Sequence, residues 1–218
     1  MIGRLNKQKV CVVVFAKTPK RGKVKQRLAK SVGDDTALKV YEELFEITLQ
    51  QVKEVLALNP LFSASLRYLG ERPYFKHSTS FNGFIKPQLH KNMTLNLIEA
   101  INDPFKDGFG KTVLLGADHP TLCAKDIINL VSLLDLAPVA VGPTEDGGFW
   151  GIATTTPLDK HILDSVTMST NQTFDTLINA LKKNGLNCAT GPVLWDIDHE
   201  ADLYRWQKIS AKKNSRSI

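Results

Sequence analysis

Side chains that could bind an anion are concentrated in one segment near the start of the 218-residue chain. This basic segment, residues 17–30, contains seven cations and no acid, while the whole chain has a net charge of +6. Lysine binds phosphate as a point charge, and arginine can bind it through two parallel hydrogen bonds. The composition predicts a polyphosphate or nucleic-acid partner, or else a solvated basic loop. The cations are Lys17, Lys20, Arg21, Lys23, Lys25, Arg27 and Lys30.

A carboxylate that could hold a metal ion follows a buried-looking strand. Asp118 comes directly after the apolar run Thr112–Ala117 and precedes a turn set by Pro120. Mg²⁺ and Mn²⁺ prefer oxygen ligands and often bind one or two carboxylates together with substrate phosphates. Asp118 could instead cap the helix that follows. His119 fits a turn residue better than a ligand or a base.

Acids and glycines also meet in the segment 142–150, which reads GPTEDGGFW. Asp146 could accept hydrogen bonds from sugar hydroxyls or act as a base, and Gly147 and Gly148 would allow a ligand to approach the backbone closely. An acidic hairpin turn is the alternative. Trp150 is more typical of a core residue, although it could form a stacking surface for a sugar.

Alternating acids occur once more, in the segment 195–200, which reads WDIDHE. Asp198 could supply a second metal ligand at the end of a strand. It could equally be the N-cap of the helix that follows, because aspartate is a preferred residue at that position. The sequence leaves these two interpretations open.

Strands and helices must position these residues, and the hydrophobic pattern predicts both. Strands are predicted at Lys9–Ala16, Leu61–Leu69, around Ile85, Thr112–Ala117, Pro138–Val141, Phe149–Thr154 and Val193–Ile197. Helices are predicted at Asp34–Leu56, Met93–Ile101, Ala124–Leu134, Asn171–Asn184 and Glu200–Ile209. A polar loop is predicted at Pro73–Gly83. We expect one domain over residues 1–210 and a frayed basic tail over 211–218.

The alternation predicts an α/β protein with a mostly parallel sheet covered by helices on both faces. In such sheets ligands bind beyond the carboxyl ends of the strands. Lys17 and Asp118 both follow predicted strands, so we expect them at the same edge of the sheet. This placement is the first link between the pattern and a function.

Several other classes of protein are disfavoured. The early apolar run Cys11–Ala16 is far too short for a signal sequence or a membrane span, so a cytoplasmic protein without a membrane span is expected. Three cysteines without a CxxC pair predict neither a disulfide framework nor a zinc site. A nucleic-acid partner is disfavoured because no aromatic residues interleave the basic segment.

Four motifs in order resemble a known bacterial family: FAKTPxxGxVKxRL, GADxPTL, GPTEDGGFW and DIDxExDL. They resemble glycosyltransferase-like proteins that are sometimes encoded near radical-SAM selenodomain proteins. The match extends from Val10 to Leu203. The resemblance implies a nucleotide-diphospho-sugar transferase of the GT-A type, which is a Rossmann-like three-layer α/β/α fold with a mixed sheet. More distantly, the opening motif resembles guanylyltransferases.

The resemblance also implies roles for individual residues. Residues on the nucleotide and its phosphates would be Ala16, Lys17, Gly22, Lys25, Arg27 and Gln88. Asp118 matches a shortened metal-binding motif and Asp198 the last acidic motif, and both would bind Mg²⁺ or Mn²⁺. Asp146 would act with Asp118 in catalysis. The sugar or acceptor side would be formed by Gly147, Gly148 and Trp150.

Two segments depart from the family pattern. Gln26 stands where the family has threonine. Residues 88–94 read QLHKNMT, where the family tends to carry Gln-Gly-Asp-Leu-Gly-Glu-Arg. If that stretch contacts the base or the acceptor, substrate choice has changed or activity has been lost.

The leading hypothesis is a metal-dependent transfer of a sugar from a nucleotide-diphospho-sugar to an unknown acceptor. The first alternative is a nucleotidyltransferase, which joins an NTP to a phosphorylated small molecule and releases pyrophosphate. A catalytically degenerate nucleotide-binding module is the second alternative. RNA binding through the basic segment is the last, and it predicts affinity that falls steeply with salt.

Overall fold

Seven strands and seven α-helices make up the described part of the chain. The computed structural model describes residues 8–73, 81 and 83–214, with the side chains of 213 and 214 left out. The predictions for the first seven residues, for most of the loop Pro73–Gly83 and for the end of the tail lie outside the described residues. The strands are β1 Val10–Lys17, β2 Phe62–Leu69, β3 Phe84–Pro87, β4 Lys111–Leu115, β5 Val139–Pro143, β6 Phe149–Thr154 and β7 Cys188–Thr190.

The helices lie between these strands. They are α1 Gln26–Val32, α2 Asp34–Leu58, α3 Met93–Lys106, α4 Ala124–Ser132, α5 Lys160–Asp164, α6 Thr173–Lys183 and α7 Glu200–Asn214. Two acids, Asp34 and Asp35, lie in the first turn of α2, where negative charge favours a helix N-terminus. In α3 the Asn92 side chain accepts a hydrogen bond from the backbone N–H of Leu95 and so caps the helix.

The strands form one mixed sheet in the order β3-β2-β1-β4-β6-β5-β7. Only β6 runs antiparallel to its neighbours β4 and β5, and every other described pairing is parallel. The prediction of a mostly parallel mixed sheet is therefore confirmed. β1 lies next to β4, so their carboxyl ends lie side by side.

Two hydrophobic layers cover the sheet. Val12 and Val14 of β1 pack with α2 and α4 on one face, while Cys11 and Val13 pack with α3, α5 and α6 on the other. This alternation follows from the two-residue period of a strand. Complete burial of one valine side chain stabilises the folded state by about 1.5 kcal/mol or more. The three-layer α/β/α architecture, in which helices cover both faces, is thus confirmed.

Some element predictions are wrong. Val193–Ile197 is not a strand, because its ladder contact within the described chain is an isolated bridge between Leu194 and Thr144. Its apolar residues Trp195 and Ile197 instead pack against α1, α2 and α7. β7 pairs with β5 at Cys188–Thr190 in its place.

Two further corrections concern helices. The second half of the basic segment, predicted as loop, folds into α1, whose buried Leu28 packs against α2 and α7. The last helix continues to Asn214, so the first four residues of the predicted tail are helical. Among the described residues, no helix is both long enough and apolar enough to cross a membrane.

Candidate nucleotide and metal site

A cavity of about 1050 Å³ opens at the carboxyl edge of the sheet. Residues that follow β1, β2, β3, β4 and β5 line it, as the position of ligand sites in open α/β sheets leads one to expect. Its volume lies at the upper end of the roughly 300–1,000 Å³ range of ligand pockets. Most of the predicted site residues line it: Ala16, Lys17, Lys25, Arg27, Gln88, Asp118, Asp146, Gly148 and Asp198.

Three carboxylates form a cluster in this cavity. Asp118, Asp196 and Asp198 each offer an oxygen, and these oxygens lie within 4.8 Å of one another. Asp118 lies just beyond β4, where the backbone N–H of Gly116 donates to the carbonyl of Trp150. The cluster therefore joins the middle of the sheet to the segment before α7.

Asp196 and Asp198 reach the cluster because the chain is anchored between them. Ile197 is fully buried and points away into the core, so its two neighbours lie on the opposite side. Asp202 in the first turn of α7 accepts hydrogen bonds from the backbone N–H groups of Asp198 and His199, at 3.1 and 2.8 Å. Asp202 thus fixes the backbone before α7, and Asp198 precedes the N-cap position of that helix, with its side chain at the cavity.

Lys25 lies between two of these acids. Its Nζ donates to Oδ2 of Asp118 at 2.9 Å and to Oδ1 of Asp198 at 3.1 Å, and its side chain is only 4% exposed. The residue has a left-handed backbone, with φ 44°, directly before α1. In this structure Lys25 therefore contacts the predicted metal ligands.

The other oxygens of Asp118 and Asp198 have partners too. Arg27 Nη1 lies 2.8 Å from Oδ2 of Asp198, and His119 Nε2 lies 3.3 Å from Oδ1 of Asp118. The Asp118 side chain thus faces Lys25 and His119, while Cys123 occupies the N-cap of α4. This placement rules out Asp118 as the cap of that helix.

Burial and mutual repulsion shift the ionisation of the cluster. Burial, reinforced by the charges of Asp118 and Asp198, raises the pKa of Asp196 to about 7. Burial opposes the charge on Lys25, but the two carboxylates outweigh it and raise the pKa of its ammonium. Burial also opposes the charge on Asp118, yet the Lys25 ammonium holds the Asp118 pKa below its usual range. Asp118 is therefore ionised and paired with the Lys25 ammonium, while Asp196 keeps its proton to a higher pH than an ordinary aspartate.

His119 is buried beside the cluster. Burial is the main cause that lowers the pKa of its imidazole, and the Asp118 charge opposes that shift. A neutral His119 can donate through Nε2 toward Asp118. The sequence favoured a turn residue here, and the structure shows a buried neighbour of the candidate metal site.

The phosphate-side residues are arranged around the end of β1. The side chain of Lys17 is exposed at the cavity, while its backbone N–H donates to Tyr41 Oη and its carbonyl accepts from the same hydroxyl, at 3.0 and 2.9 Å. The side-chain amide of Gln88 donates to the carbonyls of Ala16 and Arg67 at 3.1 and 3.0 Å. Gln88 therefore links the ends of β1 and β2, and its amide oxygen is fixed in orientation.

Gly22 has a different role from the predicted one. It lies outside the residues that line the cavity, at φ +70°, and its carbonyl accepts from the Gln26 side chain at 3.0 Å. It shapes the turn that leads to Lys25. Gln26, the departure from the family pattern, stabilises the same turn.

Asp146 lies on the opposite side of the cavity from Gln88. Its Oδ1 accepts hydrogen bonds from Thr144 Oγ1 at 2.5 Å and from the backbone N–H of Gly148 at 3.0 Å. A Cβ at Gly148 would lie 2.8 Å from the Thr144 hydroxyl. The glycine therefore makes room for this turn, which holds Asp146 at the cavity.

Gly147 packs against another loop rather than against the cavity. It has φ +85°, and a Cβ there would lie 2.1 Å from the carbonyl oxygen of Asn171. Its own carbonyl accepts from the backbone N–H of Phe174 at 2.8 Å. Gly147 therefore does not contact the cavity as predicted, but it fixes the loop 168–171, which lines it.

Trp150 is also a correction. Its side chain is fully buried and packs beneath Gly142, and its indole N–H donates to the carbonyl of Pro192 at 2.8 Å. β6 is covered on both faces, so its side chains point alternately into the core on one side of the sheet and into the core on the other. Trp150 is a core residue and does not form a surface for a sugar.

Replacing Trp150 by phenylalanine should lower the free energy of unfolding by about 2 kcal/mol, because it removes a buried hydrogen bond and leaves a cavity. Nucleotide affinity should stay unchanged, since the indole lies outside the site. Urea unfolding and nucleotide titration of Trp150→Phe measure the two effects. Lower nucleotide affinity with unchanged stability would contradict the core assignment.

Sequence reasoning assigns no role to two features of the cavity. Asp196 stands out only as part of an acidic run, although its two-residue spacing from Asp198 in an extended segment signals a shared side. The loop 168–171 carries no recognised motif. One signal within it is Ser169, whose φ of +61° is unusual for a residue other than glycine.

Comparison with known proteins supports the fold. A family model described as an uncharacterized protein conserved in bacteria, DUF2064, matches residues 48–170. No curated protein matches the sequence. A solved structure described as a "putative nucleotide-diphospho-sugar transferase" from Desulfovibrio desulfuricans G20 is 22% identical, has a TM-score of 0.75, and covers 88% of this chain and 83% of its own.

Two more distant structures share the architecture. CMP:2-keto-3-deoxy-manno-octonic acid synthetase complexed with CTP is 14% identical with a TM-score of 0.58, covering 94% of this chain and 99% of its own. Glucosyl-3-phosphoglycerate synthase from Mycobacterium tuberculosis, complexed with Mn²⁺ and UDP, is 10% identical with a TM-score of 0.52. The match covers 96% of this chain and 80% of the synthase. At these identities the likeness establishes the Rossmann-like fold of nucleotidyl- and glycosyltransferases. The family model matches more than half of the chain, and the protein is therefore a member of the DUF2064 family.

Proposed function

We propose that this protein is a metal-dependent transferase that uses a nucleotide-diphospho-sugar as donor. The observation that carries the proposal is the meeting of three carboxylates and three cations at the carboxyl edge of β1 and β4, in a cavity of about 1050 Å³. Acids alone would suit a metal, and cations alone would suit phosphate. Both together suit a metal–diphosphate complex. The cations are Lys17, Lys25 and Arg27.

The three carboxylates fit Mg²⁺ or Mn²⁺. Asp118, Asp196 and Asp198 supply hard oxygen ligands within 4.8 Å of one another. Burial and the charges of Asp118 and Asp198 raise the pKa of Asp196, and a divalent cation at the cluster would offset that repulsion. A bound divalent cation would balance charge on the diphosphate leaving group. The glucosyl-3-phosphoglycerate synthase that shares this fold was crystallised with Mn²⁺ and UDP.

The two sides of the cavity suit different parts of a donor. Beyond Gln88 the exposed side chains of Leu69, Leu89 and Met93 form an apolar wall, which suits the face of a nucleobase. Toward β5 and β6 the lining carries polar groups from Asp146 and the loop 168–171, beside the apolar side chain of Phe149. We therefore assign the base to the first side and the sugar and acceptor to the second.

Asp146 is the carboxylate that we assign to the acceptor. The hydroxyl of Thr144 and the N–H of Gly148 hold one of its oxygens, so its orientation is set before substrate arrives. A fixed carboxylate can accept a hydrogen bond from an acceptor hydroxyl and take its proton as a general base. Asp118 would contribute through the metal ion.

A nucleotidyltransferase is the second candidate. Lys17, Lys25 and Arg27 could also bind a triphosphate, and the synthetase of this fold was crystallised with CTP. The products distinguish the reactions: a nucleotidyltransferase releases pyrophosphate from an NTP, whereas a glycosyltransferase releases NDP from a sugar donor. A nucleotide-binding module without turnover would bind donors and release neither.

Nucleic-acid binding through the basic segment has less support. Lys20 pairs with Glu71 at 2.6 Å, and Arg21 pairs with Asp35 at 2.6 Å. Lys25 is buried against acids of the same chain. Several cations of the basic segment are thus paired with acids of the protein itself, which leaves less positive charge to bind the phosphate backbone of a nucleic acid.

A thermal-shift screen tests the proposal. UDP-, GDP-, ADP-, CDP- and dTDP-sugars and NTPs are each added with and without Mn²⁺. A ligand that binds the native state raises the melting temperature. We expect a metal-dependent shift with one base, followed by NDP release from the matching sugar donor. No shift with any nucleotide would contradict the proposal, and pyrophosphate release would favour the second candidate.

Lys17→Ala should weaken nucleotide binding by about 10-fold to 100-fold, because it removes one charge-assisted hydrogen bond to phosphate. Stability should change little, since this side chain is exposed and only its backbone bonds to Tyr41. Nucleotide titration measures the effect. Lys125→Ala is the matched control, because Lys125 is an exposed lysine on α4 outside the cavity. Equal affinity in both variants would remove Lys17 from the site.

A further inference from the structure

We infer that Lys25 competes with the divalent cation for the same carboxylates. In the metal-free protein its ammonium holds Asp118 and Asp198, and it leaves them when the ion binds. This inference rests on the proposed function, because it requires a metal at the acidic cluster. It adds that metal binding and donor binding are coupled through one side chain.

The competition follows from the occupancy of the oxygens. Both oxygens of Asp118 face a nitrogen, Lys25 Nζ at 2.9 Å and His119 Nε2 at 3.3 Å. Both oxygens of Asp198 do as well, Lys25 Nζ at 3.1 Å and Arg27 Nη1 at 2.8 Å. Lys25 is the residue that contacts both acids. A metal that binds both must therefore displace Lys25 first.

Sharing the oxygens is unfavourable for two reasons. Metal–oxygen distances near 2.1 Å for Mg²⁺ would bring the ion close to an ammonium that lies about 3 Å from the same oxygens. The Lys25 side chain is only 4% exposed, so water would screen the repulsion between the two cations poorly. The ion and the ammonium are therefore alternative occupants.

The fold gives the displaced ammonium a destination. Lys25 lines the same cavity as Lys17 and lies at the start of α1, on the turn that Gly22 and Gln26 form. Its long side chain can turn toward a diphosphate that arrives with the metal. Donor phosphate would then stabilise the displaced lysine, so each ligand would strengthen the binding of the other.

Calorimetric titration of Mn²⁺ without nucleotide tests the competition. Lys25→Met removes the charge and keeps most of the length of the side chain. We expect it to bind Mn²⁺ about tenfold or more tightly than the wild type. Arg27→Met is the matched control, because it removes one positive charge from the same cluster at a side chain that is 57% exposed. Its gain should be clearly smaller.

The outcomes separate the inference from the proposed function. Equal or weaker Mn²⁺ binding by Lys25→Met would overturn the competition, while a metal-dependent nucleotide shift in the wild type would still support the proposed function. Binding by Lys25→Met alone, with none by the wild type, would mean that Lys25 replaces the metal permanently, and it would also overturn the exchange. Binding by neither protein overturns the metal assignment itself.

Lysine labelling of the wild type is a second test, which does not depend on how well a variant folds. An amine-reactive reagent followed by peptide mass spectrometry compares labelling in EDTA with labelling in Mn²⁺. We expect Lys25 to be labelled several-fold faster with Mn²⁺, because displacement exposes an amine whose side chain is otherwise only 4% exposed. Lys125, outside the cavity, should be labelled equally in both. An unchanged rate at Lys25 contradicts the exchange.

Discussion

Asp118→Asn should reduce sugar transfer by about 100-fold to 1,000-fold and should abolish metal-dependent donor binding. The neutral amide is a poorer ligand for Mg²⁺ or Mn²⁺ than the carboxylate, and it no longer balances the charge of Lys25. The loss should appear in both NDP release and calorimetric Mn²⁺ titration. Asp118 is central to the prediction because it links the cluster to the middle of the sheet.

The fold should survive this change. The amide oxygen of the substituted side chain can still accept a hydrogen bond from Lys25, and Asp198 still pairs with that ammonium at 3.1 Å. The free energy of unfolding should fall by about 1–2 kcal/mol. Asp135→Asn is the control, since Asp135 is exposed and pairs with Lys111 away from the cavity. If Asp118→Asn retains wild-type Mn²⁺ affinity, the metal ligands lie elsewhere.

Gly147→Ala should lower the free energy of unfolding by about 2–4 kcal/mol. Two causes combine. The residue has φ +85°, and its new Cβ would lie 2.1 Å from the carbonyl oxygen of Asn171. Because the atoms that this Cβ would meet belong to the backbone of Asn171, the loop 168–171 would have to move.

Gly185→Ala separates the two causes. Gly185 has a similar φ of +73°, but no atom lies within 4 Å of its added Cβ. It should therefore show only the conformational cost, about 1–2 kcal/mol. Urea unfolding measures both variants, and donor titration should show weaker binding only for Gly147→Ala, because its loop lines the cavity. Equal costs would mean that the contact with Asn171 relaxes freely.

The pattern of strands and helices is predictable because most elements carry a strong local signal. β1 is a continuous β-branched run, and the structure begins and ends it within one residue of the prediction. Short elements with weak signals, such as α5 and β7, are not predicted. Val193–Ile197 misleads because packing against helices selects the same apolar residues as pairing in a sheet.

The position of the site can also be inferred from the sequence. Lys17 and Asp118 follow adjacent parallel strands, and the geometry of α/β sheets brings such residues to one edge. The roles of the glycines and of Trp150 cannot be inferred in this way. A glycine that permits a ligand to approach and a glycine that permits a loop to pack look alike in sequence, and β6 is buried on both faces.

The order of residues along the chain is enough to establish the fold class, the edge of the sheet that carries the site, and the residue types that meet there. Which of those residues contact one another depends on the packing of distant elements. Lys25 pairs with acids 93 and 173 positions away, and no local pattern signals such a pairing. Charge in the sequence indicates that a partner exists. The packing of α1 against α2 and α7 decides that, in this structure, the partner is the candidate metal site of the protein itself.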